Sequence, residues 1–591
     1  MKRKLLYFFC LTLWASLFMK AQTNDAHYVP KTPFDVSWAK SINPKYIERE
    51  PHGSVVTDEK GNVYNLISVG ASRTSGNTFQ AEESLPAIEP NSGTALLIKY
   101  DTNGKALWQV YFSGNIVKGY AICCDTINQK IYVAGSFDDV KPLKAFNADG
   151  KKADLQEVKT GGTSDDAFLA EIDYNGIVSK MRRIGGEDNN SLAIEIPSAI
   201  ICAGNSIYMA VNNLSNGTSV NFTGETMNEK KYAASYILKV NPESFNIENV
   251  CMIRGNEEDS FDEMLISSFA QFNNQRLFVA GNTQVLDIVY TDSNKEEKTL
   301  PVKGSPNALF WGEINMESNN PLFIKALPVN DDNGYQILND IAVGGKIYDP
   351  ESPLVAYLAG NTDGIPFEGQ LLQGAFIVEW PVAEEKPSTA YLIGGENEDN
   401  TVRAIAVDRY NNTLYAAGSL TDEFDTKYTQ ISCEEGPANI FCALINTQTK
   451  EIEKHAYFGA TGDLEDIIGL NIDEKSGKFY TTGYYSGSDF SLPNCSNVEE
   501  TSPRRCNYFI AAFTADWLLT ATETIASEEM AIAHATGNAI TIIAEGQYSI
   551  YTIDGAVVAS GISQGNAPVL MNHAGVYIVR IGNKIQKIVL Q

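Results

Sequence analysis

The chain has 591 residues, 43% of them hydrophobic and 20% charged, with a formal net charge of −28. A field of that sign disfavours nucleic acid and anionic lipid as partners and favours solubility. The length is too great for one ordinary core unless the chain repeats itself.

The N-terminus reads MKRKLLYFFCLTLWASLFMKAQ. Lys2, Arg3 and Lys4 precede an apolar stretch from Leu5 to Phe18, the pattern of a secretory signal peptide cleaved near Ala21. The stretch is too short to span a membrane and no later segment approaches that length, so no transmembrane helix is expected. Residues 1–21 are read as a leader and the mature protein as exported. The next apolar segment, FDVSWAKSI from Phe34 to Ile42, looks like an outer strand without a unit of its own.

From Val55 onward a pattern recurs: an aromatic residue followed by small ones. Its copies are YNLI (Tyr64), YVAG (Tyr132), YMAV (Tyr208), FVAG (Phe278), YLAG (Tyr357), YAAG (Tyr415) and YTTG (Tyr480), separated by 58 to 79 residues. Upstream of each lies an apolar strand ending in a turn, where Asp58, Asp408 and Asp473 reverse the chain. Downstream, after a variable loop, comes a third strand such as DAFLAEID or GAFIVEW, and a fourth ending in glycine and acid. Four short antiparallel strands cannot bury both faces alone, but arranged radially each sheet packs against its neighbours. The fold class expected is an all-β propeller of seven blades, with six or eight as alternatives, followed by a small β-sandwich. Phe34–Ile42 would complete the last blade and close the ring. The glycine of YxAG would allow a close backbone approach.

The segment IGGENEDNTVRAIAVDRYNNTLYAAGSLTDEF, with GSDFSLP after Tyr484, resembles the SBBP-type β-propeller repeat. The match is crisp around Tyr132, Tyr415 and Tyr480 and departs at Val211, where glycine is expected. The resemblance implies a fold and no activity.

After Trp517 the texture changes, and residues 523–591 are read as a separate all-β unit following a propeller over 22–522. Asp554-Gly555 is a hairpin signal between alternating strands. Tyr548, Tyr551, Asp554, Gly555, Gly575, Val576, Tyr577, Arg580 and Lys587, in that order at the end of the chain, resemble the type A C-terminal sorting domain of the type IX secretion system. That resemblance implies a Bacteroidota-type bacterium, the type IX secretion machinery as partner, and an Ig-like sandwich. It also implies a location on the cell surface or outside the cell.

Nine cysteines are present, Cys10 within the leader. Cys495 and Cys506 flank a polar loop that a disulfide would stabilise by about 3 kcal/mol. Cys433 and Cys442 bracket a similar loop, although Cys442 falls in an apolar run. Cys123 and Cys124 read as small core residues. No Cys/His spacing suggests zinc, and the five histidines have no metal-ligand partner at helical spacing. DTNG at Asp101, DYNG at Asp173 and DDNG at Asp331 are turns that lack the distal glutamate of a calcium loop. No catalytic residue, metal ligand or cofactor is assigned, with calcium the one ion the acidic surface would favour. Tyr484 and Tyr485 are the candidate rim contacts for a glycan or protein.

The function expected is a non-catalytic, surface-displayed binding platform, an adhesin or surface antigen whose ligand the sequence does not name. The alternatives are a protein of envelope assembly or secretion, and a propeller glycan hydrolase or lyase using channel carboxylates.

Overall fold

The structure is a computed structural model. It describes residues 32–590 except 43–51, 71–78, 89–92, 139–140, 160–164, 186–193, 215–219, 223–225, 228–231, 258–261, 303–306, 328–335, 346–352, 369, 394–399, 409–412, 422–437, 448, 451, 460–464, 474–475, 487–491, 493–505, 515–531, 537–538, 553–556, 566, 572, 574 and 582–583. The chain divides into two compact units, the larger holding the repeated sheets and the smaller the C-terminal strands. Among the described residues no helix is long and apolar enough to cross a membrane.

Among the described residues seven sheets make up the repeats, here blades 1 to 7 in chain order, antiparallel except where Thr32–Pro33 adds in parallel to the outer strand of blade 6. Their inner strands are Gly53–Thr57, Val117–Asp125, Glu195–Ala203, Met264–Phe272, Gln336–Gly344, Thr401–Asp408 and Glu465–Asp473. Each inner strand touches the next, and the seventh touches the first, so the sheets close a ring. The architecture is a β-propeller.

The aromatic motif occupies the second strand of every blade. Tyr64, Tyr132, Tyr208, Phe278, Tyr357, Tyr415 and Tyr480 are all buried, because each sheet is covered on both faces by its neighbours. The inner strands of blades 2 to 7 slip register once against the second strand, after Gly119, Pro197, Ile266, Leu338, Val402 and Ile467. One extra residue at each slip bends the strand around the ring. The motif glycine faces this bulge: a Cβ on Gly360 would lie 1.8 Å from the Ile337 carbonyl oxygen, and one on Gly418 1.9 Å from that of Thr401. In blade 1 the roles are exchanged, since Ile67 fills the motif slot and Gly53 opposite it supplies the missing Cβ, 2.2 Å from the Leu66 oxygen.

The polar residue after that slot fastens one blade to the next. The Ser68 hydroxyl bonds both the N–H and the carbonyl of Gly119 at 2.9 and 3.2 Å. Asn212 clasps the backbone of Ile266, and Asn282 that of Leu338, in the same two-bond manner.

Asp35–Ile42 pairs with Cys506–Thr514 as the outer strand of blade 7, the closure that the N-terminal segment suggested. Phe34 packs on Phe479 and Phe513, and the Trp38 indole donates to the Thr102 carbonyl of blade 1. Insertions shield several outer edges from strand pairing. Lys144–Phe146, from blade 2, extends blade 1, and the hairpin Asp287–Pro301, from blade 4, extends blade 3.

The smaller unit has a three-stranded sheet (Ala533–Thr536, Ala539–Ile542, Ala567–Leu570) and a four-stranded one (Glu545–Thr552, Val557–Gln564, Gly575–Ile581, Lys584–Leu590). Both contribute to one apolar cluster around Ile540, Ile542, Ile550, Val579 and Ile588.

Candidate functional site

The inner strands carry ionisable side chains at the centre of the ring, where a channel enzyme would place its acids. Asp340, beside the bulge of blade 5, accepts from Ser268 Oγ of blade 4 at 2.6 Å and from the N–H groups of Ile341 and Ile405 at 2.9 and 2.8 Å. Burial pushes it up to about 6 even though all three donors favour the charged form. Asn339 bonds Thr401 and Val402 of blade 6, and Arg403 of blade 6 donates to Asp466 of blade 7 at 2.6 Å. Burial raises Asp466 as well, against the pull of Arg403. Two raised carboxylates, one of them paired with an arginine, would suit acid–base chemistry. Here both are engaged in fastening successive blades.

A second constellation lies between blades 1 and 2. Lys99, only 6% exposed, stands opposite Tyr64 in register. Its Nζ donates to the Tyr174 carbonyl at 3.1 Å, lies 3.8 Å from Asp58, and sits 4.9 and 5.0 Å from the ring centres of Tyr64 and Tyr174. Burial lowers its pKa, opposed by Asp58. A depressed buried lysine can serve as a nucleophile. The same site recurs as a joint elsewhere, however: Lys239 donates to the Met316 carbonyl of blade 4, and Glu379 pairs with Lys450 of blade 6. Lys99 is the blade 1 version of that joint. The charged residue in the third strand opposite the motif aromatic was the available sequence signal, in AEID, LKVN, GEIN and VEW.

The structure places the residues singled out in the sequence as follows. Tyr485 is a correction: it is fully buried, its hydroxyl 2.6 Å from Ser41 Oγ and 3.3 Å from Asn507 Nδ2, because ring closure by Asp35–Ile42 covers it. Tyr484 is half-buried against the apolar cluster of Trp38, Ile42, Tyr480 and Tyr508. Cys442 is a buried free thiol in the third strand of blade 6, while Cys433 lies outside the described residues. Cys506 begins the third strand of blade 7, and Cys495 lies outside the described residues. Tyr548 and Tyr551 share one strand, Gly575, Val576, Tyr577 and Arg580 the strand paired with it, and Lys587 the last. Asp554 and Gly555 lie outside the described residues. Asp101 and Asp173 each accept two backbone N–H bonds from the turn that follows, which is turn chemistry. Asp331 lies outside the described residues.

A third feature, missed in the sequence, is a cavity of about 530 Å³ on the outer face of blade 2. Its walls are Leu155 and Gln156, Ser179–Arg182 of the outer strand of blade 2, and Ser244–Asn246 in the outer hairpin of blade 3. Lys180 is spent on Glu171 and the Pro242 carbonyl. Arg182 donates to the Phe245 carbonyl at 2.8 Å, burial lowers its pKa, and no carboxylate is paired with it among the described residues. A half-buried guanidinium with no counter-charge among the described residues, in a protein of net charge −28, is the feature best suited to receive an acidic group.

No family model matches the chain, and no curated protein matches it. Solved structures that resemble it include the Dos1 propeller, 8% identical over 83% of this chain and 96% of that one, with a TM-score of 0.37. The polysaccharide lyase Uly1 is 7% identical over 83% and 100%, with a TM-score of 0.38. A protein of unknown function from Dyadobacter fermentans is 11% identical over 66% and 93%, with a TM-score of 0.34. The propeller assignment stands on the closed circuit of the chain's own sheets.

Proposed function

We propose that this protein is an exported, surface-displayed β-propeller that acts as a non-catalytic binding platform, an adhesin or surface antigen. In this reading residues 1–21 direct export and residues 22–522 form the platform. Residues 523–591 serve as the sorting domain that engages the type IX secretion machinery, as the resemblance of Tyr548–Lys587 suggests. The observation that carries the platform reading is the engagement of two inner-strand acids: Asp340 and Asp466 are held in bonds that fasten blades together. The perimeter cavity around Arg182 is the ligand face we favour, for a protein or glycan presenting an acidic group.

Binding is tested by applying the mature chain, from residue 22, to glycan and matrix-protein arrays. Saturable binding to one acidic ligand class, weakened at least tenfold by Arg182→Ala, is expected. Silence from folded protein, or binding indifferent to Arg182→Ala, would overturn the assignment of this face. Export is tested by fractionating cells that carry the full chain or one ending at residue 522. Equal surface display of the two would refute the sorting role.

A further inference from the structure

Blades 2 and 3 meet along their inner strands, Val117–Asp125 and Glu195–Ala203. Cys123 and Cys124 are neighbours on the first of these and turn to opposite faces, as alternation along a strand requires. Cys124 faces blade 1, its Sγ 3.1 Å from the Tyr174 hydroxyl. Cys123 faces blade 3 within the cluster of Tyr132, Ala134, Tyr236 and Leu238, and there its Sγ lies 3.0 Å from Sγ of Cys202. That separation is well inside the contact distance of two sulfur atoms and about 1 Å from the bonded length of about 2.05 Å.

We propose that Cys123 and Cys202 are a modification site: they form a disulfide that staples blade 2 to blade 3, while Cys124 remains a thiol. The two partners are 79 residues apart, so the bond would tie two blades independently of the strand that closes the ring. The reaction needs a disulfide oxidant of the glutathione class. The first thiolate attacks that oxidant's S–S bond, forming a mixed disulfide and releasing one glutathione thiolate. The second thiolate then displaces the other glutathione and forms the Cys123–Cys202 bond. Two thiol protons are released to the two glutathione leaving groups, and the protein loses two electrons.

Cys202 is half-buried and Cys123 buried, so the oxidant meets Cys202 first and Cys123 resolves the mixed disulfide. Burial, together with the adjacent Cys202 thiol, raises the Cys123 thiol above its usual range and slows that second step. Closure is therefore faster before the two blades have packed. The proposal does not rest on the export reading: an oxidising compartment would supply the oxidant in the cell, and glutathione disulfide supplies it in the tube.

The test is disulfide mapping of the full chain after oxidation by glutathione disulfide, alkylation and proteolysis without reductant. The peptide holding Cys123 and Cys124 is expected linked to the one holding Cys202. The link should persist in Cys124→Ala and vanish in Cys123→Ala. Reductant should lower the thermal midpoint of the oxidised wild type by more than that of Cys202→Ala. Full alkylation of Cys123 and Cys202 in oxidised, folded wild type would overturn the proposal. So would a link lost in Cys124→Ala and kept in Cys123→Ala. Wild-type mapping decides the matter even where a variant fails to fold.

Discussion

The substitution Gly418→Ala tests why the motif ends in glycine. Gly418 lies opposite Val402 in blade 6, and an added Cβ would sit 1.9 Å from the Thr401 carbonyl oxygen and 2.9 Å from Cε1 of Phe441. An ordinary carbon–oxygen contact is about 3.3 Å, so the inner strand must retreat by roughly 1.4 Å. Such a shift breaks about two ladder hydrogen bonds, at ~1 kcal/mol each, and adds overpacking strain of about 1–3 kcal/mol. Reduced freedom of the unfolded chain returns about 0.4–1 kcal/mol. The net loss expected is about 2–4 kcal/mol, read from the urea midpoint and slope of the full chain. Gly364→Ala is the control, because its Cβ would meet only the Leu371 side chain, at 3.2 Å. If both variants shift stability equally, or Gly418→Ala by less than about 0.5 kcal/mol, close approach at the bulge is not the reason for the glycine.

Three further outcomes are expected. Asp340 has its folded pKa raised to about 6, so the native state binds the proton more tightly than the unfolded chain. This group's stabilisation, about 3 kcal/mol, is then present at about pH 4 and lost as pH rises through about 6; Asp340→Ala should destabilise more at pH 4 than at pH 7 in urea titrations, and a pH-independent difference would contradict it. Lys99→Met, which keeps the packing and leaves Asp58 its donors from Lys60, Asn62 and Tyr64, should cost about 1 kcal/mol by urea titration, whereas Lys99→Glu, beside Asp58, should cost about 3–5 kcal/mol. Trp38→Ala removes a buried ring that touches Tyr100 and Tyr480 and should cost about 3–5 kcal/mol, with earlier proteolytic release of the N-terminal strand; an unchanged cleavage rate would contradict its role in closure.

Second strands were legible in the sequence because a buried aromatic followed by small residues repeats where both sheet faces are covered. The closing strand was legible because FDVSWAKSI is a strand with no partner nearby. The edge-covering insertions were not, since Lys144–Phe146 is too short to show alternation and its pairing with Tyr111 belongs to another repeat. Tyr485 was misread because its place near the end of a strand says nothing about the N-terminal strand that folds over it. Cys202 carries a weak signal: it lies one repeat after Cys123, on the corresponding inner strand of the next blade. Two like residues one repeat apart face each other only if one turns forward and the other back, and a one-residue difference in register decides that. The perimeter cavity was illegible for a similar reason, being walled by residues from two blades that meet only in the ring.

The positions that differ between repeats explain how near-identical sheets keep their order. Opposite the motif aromatic stand Lys99, Glu171, Lys239, Glu313, Glu379, Leu444 and Ala512. Where the residue is charged and its partner lies on the next blade, it is matched there: Lys99 by a carbonyl, Lys239 by another, Glu379 by Lys450. A blade docked on the wrong neighbour would bury such a charge unmatched, a cost of about 3–5 kcal/mol that penalises mispairing more than it rewards the native ring. Glu379 and Lys450 allow this to be measured. Reversing either alone, Glu379→Lys or Lys450→Glu, should destabilise by about 3–5 kcal/mol. Reversing both should recover most of the loss, because the joint needs opposite charges and has no use for a particular sign. Additive losses in the double variant would mean that packing fixes the order of the blades. Recovery would mean that the ring's assembly is written in its unlike joints, leaving the insertions and the Arg182 cavity as the surfaces free to vary with a ligand.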